Sequence, residues 1–154
     1  MLPAGTGSAE AIDAGGWYHS GDLGVVGSDG RLRYLGRLKD MLKVGGENVA
    51  ALEIASHLQA HPCVSVAQVV GVADEKYGEV PAAFIELHPG TTLTEQEVIA
   101  HCRGGLASFK VPRYVRFVTE WPMSSTKVQT FRLREQLEAE LAALISACEP
   151  PAPP

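Results

Sequence analysis

The feature that most restricts the fold of this 154-residue chain is an almost uninterrupted apolar stretch at residues 64–72. Valine predominates in it, and a β-branched run of this length is typical of a buried β-strand. A shorter run of the same kind occupies residues 82–87, and the more polar residues 74–78 are suited to the loop between the two runs. The sequence therefore predicts two buried strands, residues 64–72 and 82–87.

Three helices are predicted around these strands. The spacing of apolar residues between positions 51 and 61 indicates a first helix, which Pro62 ends. Thr94 and Glu97 have the spacing of a capping box, in which each side chain satisfies the other residue's backbone N–H, and a second helix is expected to run from this box to the glycine pair at 104–105. A third helix is indicated by an apolar stripe that we expect to pack in the core. Its members are Leu133, Leu137, Leu141, Leu144 and Ile145.

The remaining extended segments are short. An Asp-Gly pair at positions 29–30 separates apolar runs at residues 22–26 and 31–35, which predicts a β-hairpin. A second extended pair is expected around residues 44–48, and a last strand at residues 114–118. Helices interleaved with a few strands indicate an α+β fold, so we expect a small mixed β-sheet flanked by helices and preceded by a β-hairpin.

Composition excludes several classes of protein. The 13 Lys and Arg residues against 18 Asp and Glu residues give a net charge of -5, which favours neither nucleic acid nor anionic lipid as a partner. No apolar run approaches the roughly 20 residues that span a bilayer, and no signal-peptide pattern is evident, so we expect a cytoplasmic protein without a membrane span. The three scattered cysteines favour reduced thiols over a disulfide framework. The glycine-rich residues 1–16 and the proline-rich residues 149–154 are expected to be poorly ordered.

Three motifs follow one another along the chain. Residues 16–24 read Gly-Trp-Tyr-His-Ser-Gly-Asp-Leu-Gly, residues 36–49 begin Gly-Arg-Leu-Lys-Asp-Met-Leu-Lys and contain a glycine pair, and residues 121–135 contain Pro-Met-Ser-Ser-Thr-Lys-Val. Together they resemble the adenylate-forming, or AMP-binding, superfamily. The second motif is more similar to acyl-CoA and aryl-CoA ligases than to the amino-acid-activating domains of peptide synthetases. Residues 74–78 and 110–112 also resemble connecting regions of this family.

The resemblance implies a domain organisation and a reaction. Residues 1–38 are expected to be the end of a large N-terminal domain, residues 39–148 the mobile C-terminal domain, and residues 149–154 a disordered tail. The implied reaction has two steps, in which a carboxylic acid attacks Mg-ATP to give an acyl-AMP, and coenzyme A then displaces AMP. The implied partners are therefore ATP with Mg, the carboxylic acid, coenzyme A and the N-terminal adenylation domain of the same enzyme.

Asp22 and Arg37 are the residues that the resemblance assigns to nucleotide binding. A carboxylate can accept hydrogen bonds from two neighbouring ribose hydroxyls, which suits Asp22, and the planar guanidinium of Arg37 suits the ribose and phosphate nearby. Without the motifs, Asp22 would be interpreted as a turn cap and Arg37 as an exposed turn residue.

Lys127 is implied to be catalytic, because the negative charge that develops during adenylation requires a mobile cation. Without the motif it would be interpreted as a surface lysine ahead of a helix. The family usually has Thr-Gly-Lys here, whereas Thr126 directly precedes Lys127 in this chain. The missing glycine predicts a shorter loop.

Lys39 falls at the family's hinge position, where the small domain is implied to pivot between the two half-reactions. Lys43, Gly45 and Gly46 are implied to serve the thioester-forming step, since glycine lets the backbone approach a pantetheine arm closely. Alternatively, Lys39 is an ordinary exposed loop lysine, and the glycine pair is an ordinary hairpin turn.

No metal site is predicted from the sequence. His57 and His61 have the spacing of two ligands on one helix, but Pro62 follows directly and no third ligand is evident.

The function expected from these observations is that of the C-terminal domain of an acyl-CoA synthetase. The glycine-rich ATP loop and the acyl pocket of the family have no counterpart in the sequence, so the chain by itself is expected to be inactive. The alternative is a standalone binding or regulatory module that pairs with a separate adenylation subunit or an acyl-carrier protein.

Overall fold

The computed structural model describes residues 11–148, so residues 1–10 and 149–154 of the predicted disordered ends lie outside the described residues. Residues 11–16 lie within the described part of the chain, where Gly16 donates its N–H to the carbonyl oxygen of Asp13 at 2.9 Å and closes a turn. The described residues divide into two compact units between Asp40 and Met41. We call them the hairpin unit, residues 11–40, and the sheet unit, residues 41–148.

The hairpin unit contains strands β1 (Asp22–Val26) and β2 (Leu32–Arg37), which pair antiparallel as predicted. Gly30 in the connecting turn has a φ of 76°, a left-handed conformation that glycine adopts without steric cost. A 3-10 turn, Leu38–Asp40, ends the unit.

The sheet unit contains five strands and three α-helices. The strands are β3 (Met41–Val44), β4 (Glu47–Ala50), β5 (Val64–Asp74), β6 (Gly78–Leu87) and β7 (Tyr114–Phe117). The helices are α1 (Ala51–Gln59), α2 (Glu95–Gly105) and α3 (Thr130–Cys148), and a further 3-10 turn covers Ser108–Lys110. The sheet order is β4-β3-β6-β5, with β7 also paired to β6. All pairs are antiparallel except β6 with β7, so the predicted small mixed α+β sheet is confirmed.

The core consists of two apolar clusters, one on each face of the sheet. Ile85 lies in the first cluster, with buried residues of α1 and α2 such as Leu58 and Val98. Its neighbour Phe84 lies in the second cluster, with Leu133 and other residues of α3. Successive residues of a strand point to opposite faces, so β6 supplies both clusters and the helices form layers above and below it.

Phe84 is the largest side chain that is almost completely buried, at 1% exposure. We expect Phe84→Ala to lower the free energy of unfolding by about 3–5 kcal/mol, because it removes apolar contacts and leaves a cavity beside α3. Phe117 is the matched control, since it is 41% exposed at the end of β7 and its replacement by alanine should cost less than about 1 kcal/mol. Urea unfolding followed by far-UV circular dichroism measures both, and equal losses would contradict this packing.

Strand β6 begins earlier than predicted, and the reason lies in Pro81. The prediction began at residue 82, whereas β6 starts at Gly78 and includes Pro81, which lacks the N–H that a strand residue normally donates. The carbonyl of Pro81 accepts a hydrogen bond from the N–H of Arg113 at 2.9 Å, on the side away from β5. On that side of β6, strand β3 pairs only with Gly78, and the pairing with β7 starts at Ala82. Position 81 therefore has no strand partner to which a backbone N–H would donate, so a proline there costs the sheet no hydrogen bond.

Helix α2 includes the glycine pair that was predicted to end it. Neither Gly104 nor Gly105 has a positive φ, so neither acts as a left-handed C-cap. A Cβ atom on Gly105 would lie only 2.3 Å from Cε1 of His57. Gly105 thus leaves room for a side chain of α1, which explains a glycine inside the helix.

The predicted apolar stripe of α3 is only partly buried. Leu133 and Leu137 are each 1% exposed, and Leu141 packs against the second cluster. Leu144 and Ile145 are exposed, at 62% and 70%, so their predicted core position is wrong. Among the described residues, no helix combines the length and apolar character that crossing a membrane requires.

Candidate functional site

Asp22 and Arg37, the two predicted nucleotide-binding residues, face each other across the hairpin. They are register partners of β1 and β2, and Nε of Arg37 lies 3.3 Å from Oδ1 of Asp22. Both side chains remain accessible, at 39% for Asp22 and 48% for Arg37. The carboxylate therefore keeps oxygen lone pairs for incoming hydroxyl groups beside a fixed positive charge.

The neighbours of Asp22 stabilise the backbone of this hairpin. The hydroxyl of Ser20 accepts the N–H of Asp22 at 3.1 Å, and the carbonyl of Gly21 accepts the N–H of Leu38 at 2.8 Å. His19 contacts Asp13, with Nε2 3.0 Å from Oδ2, and so is paired within its own turn. Ser20 and His19 thus have separate structural partners.

Lys39 lies in the 3-10 turn Leu38–Asp40, one residue before the boundary between the two units. Its side chain is exposed, and within residues 11–148 it takes part in no ion pair. This turn is the connection between β2 and β3 along the chain.

Gly45 and Gly46 form the two-residue turn between β3 and β4. Their φ angles are 59° and 91°, as a type I′ hairpin turn requires. The N–H of Gly45 donates to the carbonyl of Tyr77 at 2.8 Å, so the turn is attached to the β5–β6 connection. Lys43, two residues earlier, has an exposed side chain and a backbone N–H that donates to Oε2 of Glu79 at 2.9 Å.

The β5–β6 connection is itself stabilised by Asp74. Its carboxylate accepts the backbone N–H groups of Tyr77, at 3.0 Å, and Lys76, at 2.9 Å, and pairs with Arg113. These contacts, the Tyr77 hydrogen bond foremost, hold the pKa of Asp74 below its usual value. A lowered pKa means that the stabilisation is fully present above the pKa of the unfolded chain and is lost only as the pH falls through the folded value. The turn is therefore intact at neutral pH.

A pocket of about 380 Å³ lies beside the glycine turn. Gly45, Glu47, Tyr77, Phe109 and Arg113 are among its lining residues. Tyr77 and Phe109 are each more than one-third exposed, so two aromatic rings border this pocket next to a guanidinium. Such a surface can hold a narrow, partly apolar ligand with a polar or anionic end.

Sequence reasoning assigned no role to Tyr77, Glu79, Phe109 or Arg113. Tyr77 lies within residues 74–78, and the other three directly adjoin residues 74–78 or 110–112, the two segments that resemble connecting regions of the family. Lys110 in the second of these segments contacts Glu53 of α1, with Nζ 2.7 Å from Oε1, and so positions the adjacent Phe109.

Lys127 lies in a compact loop, residues 124–127, between Met123 and Val128, which form an isolated antiparallel bridge. The N–H and the hydroxyl of Ser124 both donate to the carbonyl of Lys127, at 2.8 and 3.2 Å. No described residue other than glycine has a positive φ, so the loop closes without the glycine that the family usually has. The Lys127 side chain is exposed, and none of the ion pairs among the described residues includes it.

The base of this loop is held against the sheet. The indole N–H of Trp121 donates to Glu86 of β6, and the N–H of Gln129 donates to the carbonyl of Pro122 at 2.7 Å. Val128 packs against the second core cluster, whereas Val44, just before the glycine turn, lies in the first. The Lys127 loop is thus anchored on the face of the sheet that the second cluster covers, whereas the glycine turn lies within the sheet, at the end of β3 and β4.

The histidines considered as metal ligands instead join α1 to α2. Nε2 of His57 lies 3.1 Å from the carbonyl of His101, Nε2 of His101 lies 3.1 Å from the carbonyl of His57, and the two rings stack. Nδ1 of His61 accepts the N–H of Cys63 at 3.2 Å. Within residues 11–148, no group of three or more His, Cys, Asp or Glu side chains is placed to hold a metal ion.

Cys63 and Cys102 are free thiols, and the side chain of Cys148 lies outside the description. Cys102 is buried in the first cluster, and this burial raises the pKa of its thiol to about 11. Because the thiolate is the nucleophile, Cys102 is unreactive at neutral pH.

The chain is similar to known proteins in both sequence and structure. Residues 53–127 match the AMP-binding enzyme C-terminal domain family. The Bacillus subtilis protein YngI, named as an acyl-CoA synthetase, is 47% identical over 128 residues, which cover 82% of this chain and 23% of that protein. The human mitochondrial medium-chain acyl-CoA ligase ACSF2 is 42% identical over 133 residues, covering 86% of this chain and 22% of the ligase. The chain thus spans less than a quarter of the length of either relative.

Two solved structures have the same fold and moderate sequence identity. ATP-bound MatB from Rhodopseudomonas palustris superposes with a TM-score of 0.79 at 34% identity, over 86% of this chain and 27% of MatB. The anthranilate CoA ligase AuaEII, in complex with anthranoyl-AMP, superposes with a TM-score of 0.76 at 38% identity, over 88% of this chain and 27% of AuaEII. The chain therefore belongs to the adenylate-forming superfamily and carries the C-terminal domain of its acyl-CoA synthetases and ligases.

Proposed function

We propose that this chain acts as the mobile C-terminal domain of an acid–thiol ligase, which activates a carboxylic acid with ATP and transfers the acyl group to coenzyme A. The observation that carries the proposal is the exposed Lys127, presented by a compact loop whose base is held against the sheet. A cation placed in this way can approach two negatively charged reactants while its backbone stays fixed.

In the first half-reaction, a carboxylate oxygen of the acid forms a bond to the α-phosphorus of ATP, and pyrophosphate leaves. The ammonium of Lys127 donates hydrogen bonds to the attacking carboxylate and to an α-phosphate oxygen, where negative charge increases in the transition state. Asp22 accepts hydrogen bonds from the ribose hydroxyls, and Arg37, already paired with Asp22 at 3.3 Å, stabilises the nearby negative charge.

In the second half-reaction, the sulfur of coenzyme A forms a bond to the acyl carbon, and AMP leaves. We place the pantetheine arm of coenzyme A along Gly45 and Gly46, where the absence of Cβ atoms leaves the backbone open. The adjacent pocket of about 380 Å³, which the aromatic rings of Tyr77 and Phe109 border, then receives another part of coenzyme A.

Magnesium, which the family implies as the companion of ATP, is not assigned to residues of this chain. Within residues 11–148, no group of three or more His, Cys, Asp or Glu side chains is placed to hold a metal ion, and the carboxylate of Asp22 is paired with Arg37. The residues of this chain thus contribute positive charge through Lys127 and Arg37, and no step above depends on a metal held here.

The proposed partner is the N-terminal adenylation domain of the same enzyme. Large apolar residues of the hairpin unit are unusually exposed, among them Trp17 at 75%, Tyr18 at 70% and Leu32 at 74%. Exposed apolar side chains in such numbers mark a surface that is buried against another part of a protein.

We propose that the boundary between the two domains lies between residues 38 and 39, so that the hinge residue Lys39 is the first residue of the C-terminal domain. The cytoplasmic location also stays a proposal, since one relative is named as mitochondrial.

We expect the purified chain to show no acid-dependent exchange of pyrophosphate into ATP, because it spans less than a quarter of its relatives and the remaining contacts to ATP and acid must come from elsewhere. A ligase that carries this chain as its C-terminal domain should show the exchange, and should form acyl-CoA from at least one member of a panel of carboxylic acids. Exchange by the chain alone would contradict the proposal.

The same assay tests the alternative of a standalone module. If the chain partners a separate adenylation subunit, mixing the two as separate proteins should restore activity as fully as covalent linkage does. If the acceptor is an acyl-carrier protein, acylation of that protein should exceed formation of acyl-CoA. We expect neither result.

A further inference from the structure

Strand β3 is paired along its whole length with β4 but has little backbone pairing with its other neighbour, β6. It pairs with β6 in register only at Val44 and Gly78. One residue earlier, the backbone N–H of Lys43 donates to a side-chain oxygen, Oε2 of Glu79, at 2.9 Å. The Glu79 carboxylate thus accepts a hydrogen bond that a strand carbonyl would accept in a regular ladder.

The other oxygen of the same carboxylate faces helix α3. Nη1 of Arg134 lies 3.4 Å from Oε1 of Glu79, and Nε of Arg134 donates to Glu138 at 2.9 Å, one helical turn away. Helix α3 begins at Thr130, three residues after Lys127. Glu79 therefore contacts both the strand that precedes the glycine turn and the helix that follows the lysine loop.

The surroundings of Glu79 are shaped to hold its carboxylate. Its side chain is only 26% exposed, and Gly71, two residues before its register partner Ala73 on β5, lies beside its carboxyl group. A Cβ atom on Gly71 would lie 3.2 Å from the Glu79 carboxyl group and 2.7 Å from Cδ2 of Leu42. A larger residue at position 71 would therefore displace the carboxylate from Lys43 or press on β3.

We propose that Glu79 is a positioning residue that links the Lys43–Gly46 turn to α3 and thereby holds this turn in place for the thioester-forming step. The inference rests on the proposed function, because it assigns that step to the glycine turn.

The negative charge of the Glu79 carboxylate matters as well as the size of the side chain. A carboxylate accepts from both the Lys43 N–H and the Arg134 guanidinium, whereas a glutamine amide has one oxygen to accept with and an NH₂ group that only donates.

The structural part of the proposal is tested on the 154-residue chain by amide hydrogen exchange at Lys43. Protection of this N–H should fall about tenfold or more in Glu79→Ala, which removes the acceptor. Glu135→Gln is the matched control, since it also removes one carboxylate charge but lies exposed on α3 outside the ion pairs of the described residues. Unchanged Lys43 protection in Glu79→Ala, in a chain with unchanged circular dichroism, would overturn the proposal.

The functional part is tested in a ligase that carries this chain as its C-terminal domain. Single-turnover transfer from supplied acyl-AMP to coenzyme A should slow about tenfold in Glu79→Gln, while pyrophosphate exchange stays within about twofold, because a small displacement of a positioning element lowers the rate of the step it serves. The loss should lie in the maximal rate and not in the coenzyme A concentration for half-saturation. An equal loss in both half-reactions would show a merely structural role and overturn the proposal.

Coupling through Arg134 is tested by a double-mutant cycle with Arg134→Gln. If the two residues act through one contact, the double variant should slow thioester formation by less than the product of the two single effects. A fully multiplicative result would refute the link to α3.

Failure of the proposed function can be told apart from failure of this inference. If the unmodified ligase formed acyl-AMP but no thioester, the proposed function would fail. The hydrogen-exchange measurement at Lys43 would still decide whether Glu79 holds the turn.

Discussion

Replacing Lys127 with alanine is expected to slow acyl-AMP formation by about two to three powers of ten, the usual cost of removing one preorganised contact to a charged transition state. The Lys127 ammonium is exposed and outside the ion pairs of the described residues, so its removal breaks no contact within the chain. Stability should therefore be unchanged. Pyrophosphate exchange in a ligase carrying the variant chain measures the effect, and thermal unfolding checks the fold.

The companion measurement for Lys127→Ala is transfer of the acyl group from supplied acyl-AMP to coenzyme A. We expect this step to keep most of its rate, because the proposed function assigns it to the Lys43–Gly46 turn and not to Lys127. Equal losses in both half-reactions would indicate a structural lysine.

The closed form of the lysine loop offers a second control. Inserting a glycine between Thr126 and Lys127 restores the length that the family usually has, but it lengthens a loop that Ser124 already closes on the Lys127 carbonyl. We expect the insertion to reduce adenylation, because the ammonium would be held less firmly. Faster adenylation would show that the short loop limits the reach of Lys127.

Lys39→Pro is expected to separate the two half-reactions. Proline fixes φ near -65° and restricts the residue before it, and position 39 lies in a 3-10 turn next to the boundary between the two units. If the domain pivots there, the variant should be confined to one arrangement, which the family resemblance suggests is the adenylating one. Pyrophosphate exchange should then stay near normal, while thioester formation from acyl-AMP should fall by at least about tenfold.

Lys39→Ala is the matched control for the hinge. It removes the same side chain and leaves φ free, so both half-reactions should stay close to normal. Near-normal thioester formation by Lys39→Pro would place the pivot elsewhere, and a loss in Lys39→Ala would show that the side chain itself has a role.

Local sequence determined most of the secondary structure. The valine-rich strand β5, the hairpin around Gly30 and the glycine turn between β3 and β4 were all predictable, because side-chain periodicity and turn conformation depend on residues close together in the chain. The capping box was predictable for the same reason, and Thr94 and Glu97 do bond each other's backbone N–H groups at the start of α2.

Where these predictions were wrong, a distant part of the chain was responsible. Pro81 is tolerated inside β6 because β3 and β7 leave a gap beside it, and Gly105 continues α2 because the His57 ring of α1 requires the space. Leu144 and Ile145 fit the apolar stripe of α3 but remain exposed. The periodicity of a helix indicates which face is apolar, but whether another element covers that face depends on the assembled fold.

For the candidate site, the sequence motifs alone indicated the family and the residues to consider, namely Asp22, Arg37 and Lys127 together with Lys43 and the glycine pair. The tertiary structure decided their contacts. Arg37 pairs with Asp22, the Lys43 N–H bonds the Glu79 carboxylate, and the Gly45 N–H bonds the Tyr77 carbonyl. These partners are separated in the chain by 15 to 36 residues, so only strand pairing and packing bring them within hydrogen-bond distance, and no local pattern of residue types encodes that approach.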